Sequence, residues 1–333
     1  MKGGKKVLNG LFILDDCQLV YGSVYKEIEK MVRIYELPQT KESIIQNPSL
    51  LEKADVLFTG WGCPVMDQEF LKSAPNLKAV FYGAGSIKHV VTKEFWERQI
   101  QITSAFAANA VPVAEFSLSQ ILFSLKRGWN YVNQVKKERK YPVKFEVPGA
   151  YHSIVGIISL GMIGRKVCEL LKPFDLTVIA YDPYVSKEEA KALNVQLCSL
   201  EELFQVSDVV SIHTPLIKET EGMITGHHIH SMKKNATFIN TSRGAVVRES
   251  DAIEVLESRP DLFAVLDVTS PEPPSQNSRL FSLDNVILTP HIAGSLSKEC
   301  ERMGEYMAEE AKRYIEGRPM KWEITREIAS TMA

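Results

Sequence analysis

From residue 10 onward, short runs rich in β-branched and aromatic residues alternate with amphipathic stretches. Residues 10–14, 31–35, 55–59, 77–82 and 100–104 read as strands, and helices are predicted over 67–73 and 93–99. Such alternation favours parallel sheets with helices on both faces. A long apolar-periodic stretch over 111–126 predicts a helix that bridges two domains, with Asn109 as its cap and Pro112 in its first turn. Residues 128–149 are basic and aromatic (Trp129, Tyr131, Tyr141, Phe145) without sustained periodicity, and read as an arm rather than as core. A second series of strands covers 153–159, 177–181, 209–213, 237–240, 264–268 and 286–289; a last helix over 296–316 stops at Gly317-Arg318-Pro319.

Length and charge narrow the picture. The 333 residues suffice for two packed cores. Lys and Arg total 39 against 41 Asp and Glu, a formal charge of -2, so no positive field is available for gripping a phosphate polymer and nucleic acid is not expected as a partner. No stretch is read as approaching the roughly 18 apolar residues of a membrane span. The basic start Lys2 to Lys6 leads into an apolar run over 11–14 that is too short for a signal-peptide core, and a cytoplasmic location is expected. The five cysteines are scattered without a Cys-x-x-Cys pair, which argues for reduced thiols over a disulfide framework or zinc site. In Gly226-His-His-Ile-His230 the histidines lack a nearby carboxylate or thiolate cluster, and the segment reads as a solvated helix start, not a metal site.

The chemistry begins at Ser159-x-Gly161-x-x-Gly164, which leaves a predicted strand and enters a helix where a dinucleotide fingerprint has three glycines. Gly161 lets the backbone approach a pyrophosphate, Gly164 allows close helix-sheet packing, and the amides of Met162 and Ile163 can bind phosphate oxygens. Asp182 ends the next strand, 18 residues beyond Gly164, where a carboxylate accepts from the adenine ribose and repels a 2'-phosphate. This selects NAD over NADP. The other reading of Asp182 is a turn-forming residue before Pro183. Three further segments, Asn240-Thr-Ser-Arg-Gly244, Leu266-Asp-Val-Thr-Ser-Pro-Glu-Pro273 and Thr289-Pro-His-Ile-Ala-Gly294, each follow a predicted strand. Singly, Arg243 fits a surface ion pair, Glu272 a polar turn and His291 a satisfied core histidine. Together they supply the anion clamp, carboxylate and imidazole that reduction of a 2-keto acid requires.

With these segments, the chain resembles the D-isomer-specific 2-hydroxyacid dehydrogenases over about residues 5–320, a likeness extended by Asp208-Val-Val-Ser-Ile-His-Thr-Pro-Leu216 and Tyr82-Gly-Ala-Gly-Ser86. The resemblance implies two Rossmann- or flavodoxin-like doubly wound parallel-sheet domains with a cleft between them. A discontinuous substrate domain would comprise 1–110 and 297–333, with an NAD-binding domain over 111–296 and hinges near Asn109-Ala110 and Gly294-Ser295. It further implies catalysis by Arg243, Glu272 and His291: Arg243 binds the substrate carboxylate and carbonyl, Glu272 orients His291, and His291 is the acid/base. Cofactor contacts would come from Ser159, Gly161, Met162, Ile163, Gly164, Asp182, His213, Thr214, Pro215, Thr241, Arg243, Asp267 and His291. Asp267 would meet the nicotinamide carboxamide and the His213 loop the adenosine, while Ala84, Gly85 and Ser86 would offer the substrate loop. A homodimer is expected, with the 128–149 arm reaching the partner.

Several positions depart from the family pattern. Ser159 replaces the first fingerprint glycine, Ile87-Lys88 stands where an Asp usually follows the substrate loop, and Thr269 stands where Phe is usual. Glu272 argues against the formate-oxidising branch, which carries an uncharged amide there. Trp61 reads either as a pocket wall or as a core aromatic. Phosphoglycerate is disfavoured because the Trp61 loop lacks an arginine, although Lys88 is available. A co-repressor-like NAD(H)-dependent binding module on the same fold is the alternative to an enzyme of 2-hydroxy acids.

Overall fold

The computed structural model describes residues 7–144 and 146–332. The basic start Lys2 to Lys6 and the arm residue Phe145 lie outside the described residues. The chain divides into two compact units, one comprising residues up to Asn109 with Ser295–Met332 and the other Ala110–Gly294.

The first unit is built on β1 (Asn9–Ile13), β2 (Arg33–Ile34), β3 (Val56–Thr59), β4 (Ala79–Tyr82) and β5 (Gln101–Ser104). All pairings are parallel, in the order β2-β1-β3-β4-β5. Strand alternation sends Leu11, Ile13, Leu57, Val80 and Tyr82 into one core and Phe12, Phe58 and Phe81 into another, so both faces of the sheet are buried. The aromatic row is in register across three strands, with Phe12 and Phe58 stacked at 5.0 Å between centroids and Phe58 and Phe81 at 5.2 Å. The predicted strand over 31–35 shrinks to Arg33–Ile34 because a helix, Tyr25–Met31, takes its first residue to bury Ile28. The long helix Glu299–Glu316 lays Cys300, Met303, Met307, Ala308 and Ala311 on the aromatic face and ends at Gly317, whose φ of 72° makes the left-handed cap. Contrary to the expectation that this is the last helix, a short one over Arg326–Thr331 follows, opened by Thr325 as its cap.

The second unit carries β6 (Tyr151–Ile158), β7 (Asp175–Tyr181), β8 (Gln196–Leu197), β9 (Val209–Ile212), β10 (Thr237–Asn240), β11 (Phe263–Leu266) and β12 (Val286–Leu288). They form one parallel sheet in the order β12-β11-β10-β9-β6-β7-β8. The order reverses direction between β6 and β9, and in open α/β sheets ligands bind beyond the carboxyl ends of the strands at such a point.

Three expectations are corrected here. The long helix is Phe106–Leu125, so Asn109 lies inside its first turn and Pro112 beyond it. The start moves upstream because Ala105, Ala107 and Ala108 are buried, while the Asn109 side-chain oxygen accepts from Ser295 N at 2.8 Å instead of capping. This helix is also long and apolar enough to cross a membrane, contrary to the reading that no stretch approaches that length. Interruption by Glu115, Ser117 and Gln120 hid it in the sequence. Its Ala108, Ala114, Ile121 and Leu125 are spent on protein cores. Residues Gly128–Glu138 form a helix instead of an irregular arm: Trp129 packs on Phe123 at 4.9 Å and donates to Gln120 Oε1 at 3.0 Å. Beyond it Tyr141 and Val143 are exposed.

Gly304 sits where the helix Glu299–Glu316 meets the chain at Val20, and a Cβ there would lie 1.9 Å from the Val20 carbonyl oxygen. Gly304→Ala should therefore destabilise by about 1–3 kcal/mol in a urea titration, despite the better helix propensity of Ala. A stability unchanged or raised would show that the helix is free to move off.

Candidate active site

The turn leaving β6 places the fingerprint. Ser159 takes φ = 76°, a left-handed conformation that a glycine would adopt without cost. Gly164 is required by packing, since a Cβ there would lie 2.0 Å from the Ser159 carbonyl oxygen. At Gly161 a Cβ would meet nothing nearer than Ser159 Oγ at 3.9 Å, so the space above this residue is an open cradle. The helix Met162–Leu171 begins there, and its first amides have no intrahelical acceptor.

Asp182 does two jobs at once. Its Oδ2 accepts from Leu160 N at 2.7 Å, tying down the fingerprint loop, and its Oδ1 accepts from Tyr184 N at 2.8 Å and Val185 N at 3.2 Å. The turn-forming reading is thus present, and Oδ2 keeps a lone pair for a ribose hydroxyl. Across the switch point, His213 follows β9; its Nε2 lies 3.1 Å from Ser211 Oγ. Burial pushes its pKa down to about 3, which favours the neutral imidazole. Its Nδ1 is buried with no hydrogen-bond partner among the described residues. Thr214 and Thr241 are buried too, the latter with its hydroxyl 3.2 Å from Ser117 Oγ, and Thr220 Oγ1 donates to Pro215 O at 2.6 Å.

The candidate catalytic side chains gather beyond β10, β11 and β12. Asp267, only 2 % exposed, accepts from Thr289 Oγ1 at 2.6 Å and Ile292 N at 2.8 Å on Oδ1, and from Ala293 N at 2.9 Å on Oδ2. Its backbone carbonyl accepts from His291 N at 3.0 Å. These bonds close a tight turn in which His291 has φ = 54°. The imidazole is 48 % exposed in its side chain, and its Nδ1 lies 2.5 Å from Glu272 Oε1. Arg243 follows β10: burial lowers its pKa and the Glu272 charge opposes that, placing the guanidinium within the field of the same carboxylate. Asn240 organises this loop, with Oδ1 accepting from Ser242 N at 3.0 Å and Nδ2 donating to Arg243 O at 3.1 Å. Gly244 lets the loop touch its neighbour, since a Cβ would lie 2.0 Å from the Thr269 backbone. Arg243, Glu272, His291 and Asp267 therefore share one sheet edge.

In the first unit the loop after β4 is held from below. Ser104 Oγ reaches the carbonyl of Ala84 at 2.8 Å and also contacts that of Gly85, while the amides of Ala84, Gly85 and Ser86 have no partner among the described residues. Ile87, in the segment where the family pattern has an Asp, is buried in the same core as Val90. Trp61 follows β3 and its residue is 40 % exposed, so it is not a core aromatic. The histidines over 226–230 form a short helix whose His228 caps with Thr225, and no metal-binding cluster occurs among the described residues.

Residues 118–293 match the family model described as the NAD-binding domain of D-isomer-specific 2-hydroxyacid dehydrogenases. A glyoxylate reductase from Korarchaeum cryptofilum is 31% identical over 278 residues, covering 82% of each chain. The chain belongs to the D-isomer-specific 2-hydroxyacid dehydrogenase family. A D-3-phosphoglycerate dehydrogenase from Archaeoglobus fulgidus is 32% identical over 77% of this chain, but this chain covers only 49% of that one. It thus spans about half the length of the phosphoglycerate dehydrogenases it matches. Among solved structures, a D-lactate dehydrogenase from Aquifex aeolicus complexed with NAD and lactic acid aligns with a TM-score of 0.69 at 27% identity, over 93% of this chain and 96% of that one. The NAD-complexed form of a family member from Lactobacillus delbrueckii ssp. bulgaricus shares the fold at a TM-score of 0.80 and 20% identity, over 95% and 100%.

NAD is the cofactor of this dehydrogenase family, and the residues present fit it: an open cradle at Gly161, free helix amides and a half-buried Asp182 carboxylate. Asn240 and Thr289 lie inside the motifs that carry Arg243 and His291, but the loops they tie down are not visible in the sequence, and Ser104 belongs to no motif.

Ser159→Gly should remove a left-handed penalty of about 1–2 kcal/mol, offset by about 0.5–1 kcal/mol of added freedom in the unfolded chain. The expected outcome is a higher thermal midpoint with NADH affinity kept or improved. A drop in NADH affinity by fluorescence titration would mean that the Ser159 hydroxyl itself contacts the dinucleotide.

Proposed function

We propose that this chain interconverts a D-2-hydroxy acid and its 2-keto acid, with NAD(H) as the redox partner. The observation that carries the reading is the His291 Nδ1 to Glu272 Oε1 contact of 2.5 Å, formed on the sheet edge that also presents Arg243. Bound NADH supplies the hydride that the carbonyl carbon accepts. The chain's own residues manage charge and protons. Arg243 offsets the negative charge of the carboxylate and of the developing alkoxide. Glu272 occupies Nδ1 of His291, which leaves Nε2 to give its proton to the alkoxide oxygen. The free amides of Ala84, Gly85 and Ser86 are suited to a carboxylate.

The family relatives named as glyoxylate reductase and D-lactate dehydrogenase support a small acid as substrate. Trp61, on the loop after β3, offers an apolar wall and no guanidinium for a phosphate, so we read the substrate as unphosphorylated. The exposed Tyr141, Val143 and Tyr151 support a homodimer that covers them. A monomeric mass in light scattering at micromolar concentration would remove the dimer.

An NADH-oxidation screen over 2-keto acids tests the activity; binding of NADH without turnover on any acid would favour the binding-module reading. With the best acid, His291→Asn should lower kcat by about 10²–10⁴-fold while NADH affinity holds. Asn tolerates the left-handed backbone at this position, so the fold should survive.

The pH dependence has a definite sign. Reduction consumes imidazolium and falls as pH rises; oxidation needs neutral imidazole and falls as pH drops. Glu272→Gln keeps a hydrogen-bond partner at Nδ1 but removes the carboxylate, so reduction by this variant should slow while NADH affinity holds. An unchanged rate would take Glu272 out of this role. Asp182→Ser should narrow the preference for NADH over NADPH and weaken NADH, since the Leu160 amide also loses its acceptor. Equal affinity of the unmutated protein for both nucleotides would contradict the placement of Asp182.

A further inference from the structure

His291 and Glu272 belong to different loops, and their supports differ. The His291 turn is held by Asp267. Glu272 lies on the segment after β11, and that segment is fixed from the other side. Ser270 N donates to Glu249 Oε2 at 2.8 Å, two residues before Glu272. Thr269 Oγ1 donates to Pro271 O at 2.8 Å, folding the same turn. Gly244 abuts the Thr269–Ser270 backbone, so the Arg243 loop sets how far this segment can shift inward.

Glu249 opens the helix Glu249–Ser258, whose Ala252, Ile253 and Leu256 are buried. Its backbone is therefore fixed by a packed element, and its carboxylate reaches out to an otherwise exposed loop. Burial raises the pKa of this half-buried carboxyl while the Ser270 amide opposes the rise. Beside it lies a polar cavity of about 580 Å³ whose walls include Glu249, Ser270, Arg248 and Arg279.

We infer that Glu249 is a positioning residue for the acid/base pair: its carboxylate oxygen, by accepting from Ser270 N, holds the segment that delivers Glu272 to His291. The inference rests on the reading of His291 and Glu272 as that pair. Geometry, and not the Glu249 charge, is what the role demands. A Gln side chain keeps an acceptor at the same reach, and the polar cavity lets water satisfy its amide group. An Asp keeps the charge at the helix start but falls one methylene short of Ser270. A merely structural role, in which a negative charge stabilises the first helical turn, predicts the opposite order.

The experiment is reduction of the best 2-keto acid by Glu249→Ala, Glu249→Asp and Glu249→Gln, each also made in a Glu272→Gln background, with thermal midpoints and NADH affinities recorded. Glu249→Ala and Glu249→Asp should lower kcat about 5- to 20-fold with NADH affinity unchanged. Glu249→Gln should restore most of the rate. In the Glu272→Gln background the Ala and Asp variants should cost less than a further twofold, because the residue they position has already been disabled. Glu249→Asp with the unmutated rate, or full losses repeated in the Glu272→Gln background, would overturn the inference. Should Glu249→Ala fail to fold, the Asp and Gln pair still decides. If instead Glu272→Gln and His291→Asn are themselves fully active, the acid/base reading fails and this inference fails with it. Impaired Glu272→Gln beside an unaffected Glu249 series removes the inference alone.

Discussion

A buried carboxylate governs the reactive edge of this protein. Asp267 leaves β11 inside the sheet edge and collects a hydroxyl and two amides from the segment that follows β12. Hydrogen bonds to an ionised group are each worth roughly 1.5–3 kcal/mol, and leaving such a group unpaired in a buried site costs more. The turn over 289–293 is therefore pulled onto Asp267, and the left-handed backbone of His291 is the conformation that this closure imposes. An imidazole on an exposed loop of ordinary mobility would sample many orientations. Here it is presented to Glu272 from a turn whose neighbours are fixed on both sides.

The same device recurs along the carboxyl edge of the second sheet. Asp182 at the end of β7 ties the amide of Leu160, Asn240 at the end of β10 ties Ser242 and Arg243, and Asp267 beyond β11 ties the His291 turn. Each support is a short polar side chain at the end of a rigid parallel strand, and each holds a loop that begins at a strand end. Parallel strands end together on one edge, so this placement brings the fingerprint loop and the segments carrying Arg243, Glu272 and His291 to a common edge of the sheet. Gly164 and Gly244 add close backbone approaches that any side chain would forbid.

Much of this was legible in the residues. Buried parallel strands are short apolar runs bounded by turn residues, and β10 was bounded to the residue. The edges blurred where two elements compete for the same residues: Met31 reads equally as strand or helix, and packing of Ile28 decides for the helix. The helix Gly128–Glu138 was missed because its apolar contacts, through Trp129, are few against many polar neighbours. Arg243, Glu272 and His291 stood out in their motifs, and Asn240, Asp267 and Thr289 lie in the same segments, but which groups each support ties down was not legible. Asp267 to Ala293 spans 26 residues and Glu249 to Ser270 spans 21, and a pairing at that distance leaves no local pattern.

The claim that Asp267 sets His291 on Glu272 is tested most directly by ¹⁵N-histidine NMR of the imidazole, comparing the unmutated protein with Asp267→Asn and assigning the signal by its loss in His291→Asn. The account predicts a His291 Nδ1 signal characteristic of a proton shared with a carboxylate in the unmutated protein. In Asp267→Asn that signature should vanish, because the isosteric amide replaces one of the two acceptor oxygens with an N–H donor that faces a donor of the turn. An Nδ1 signal that is the same in both proteins would contradict it.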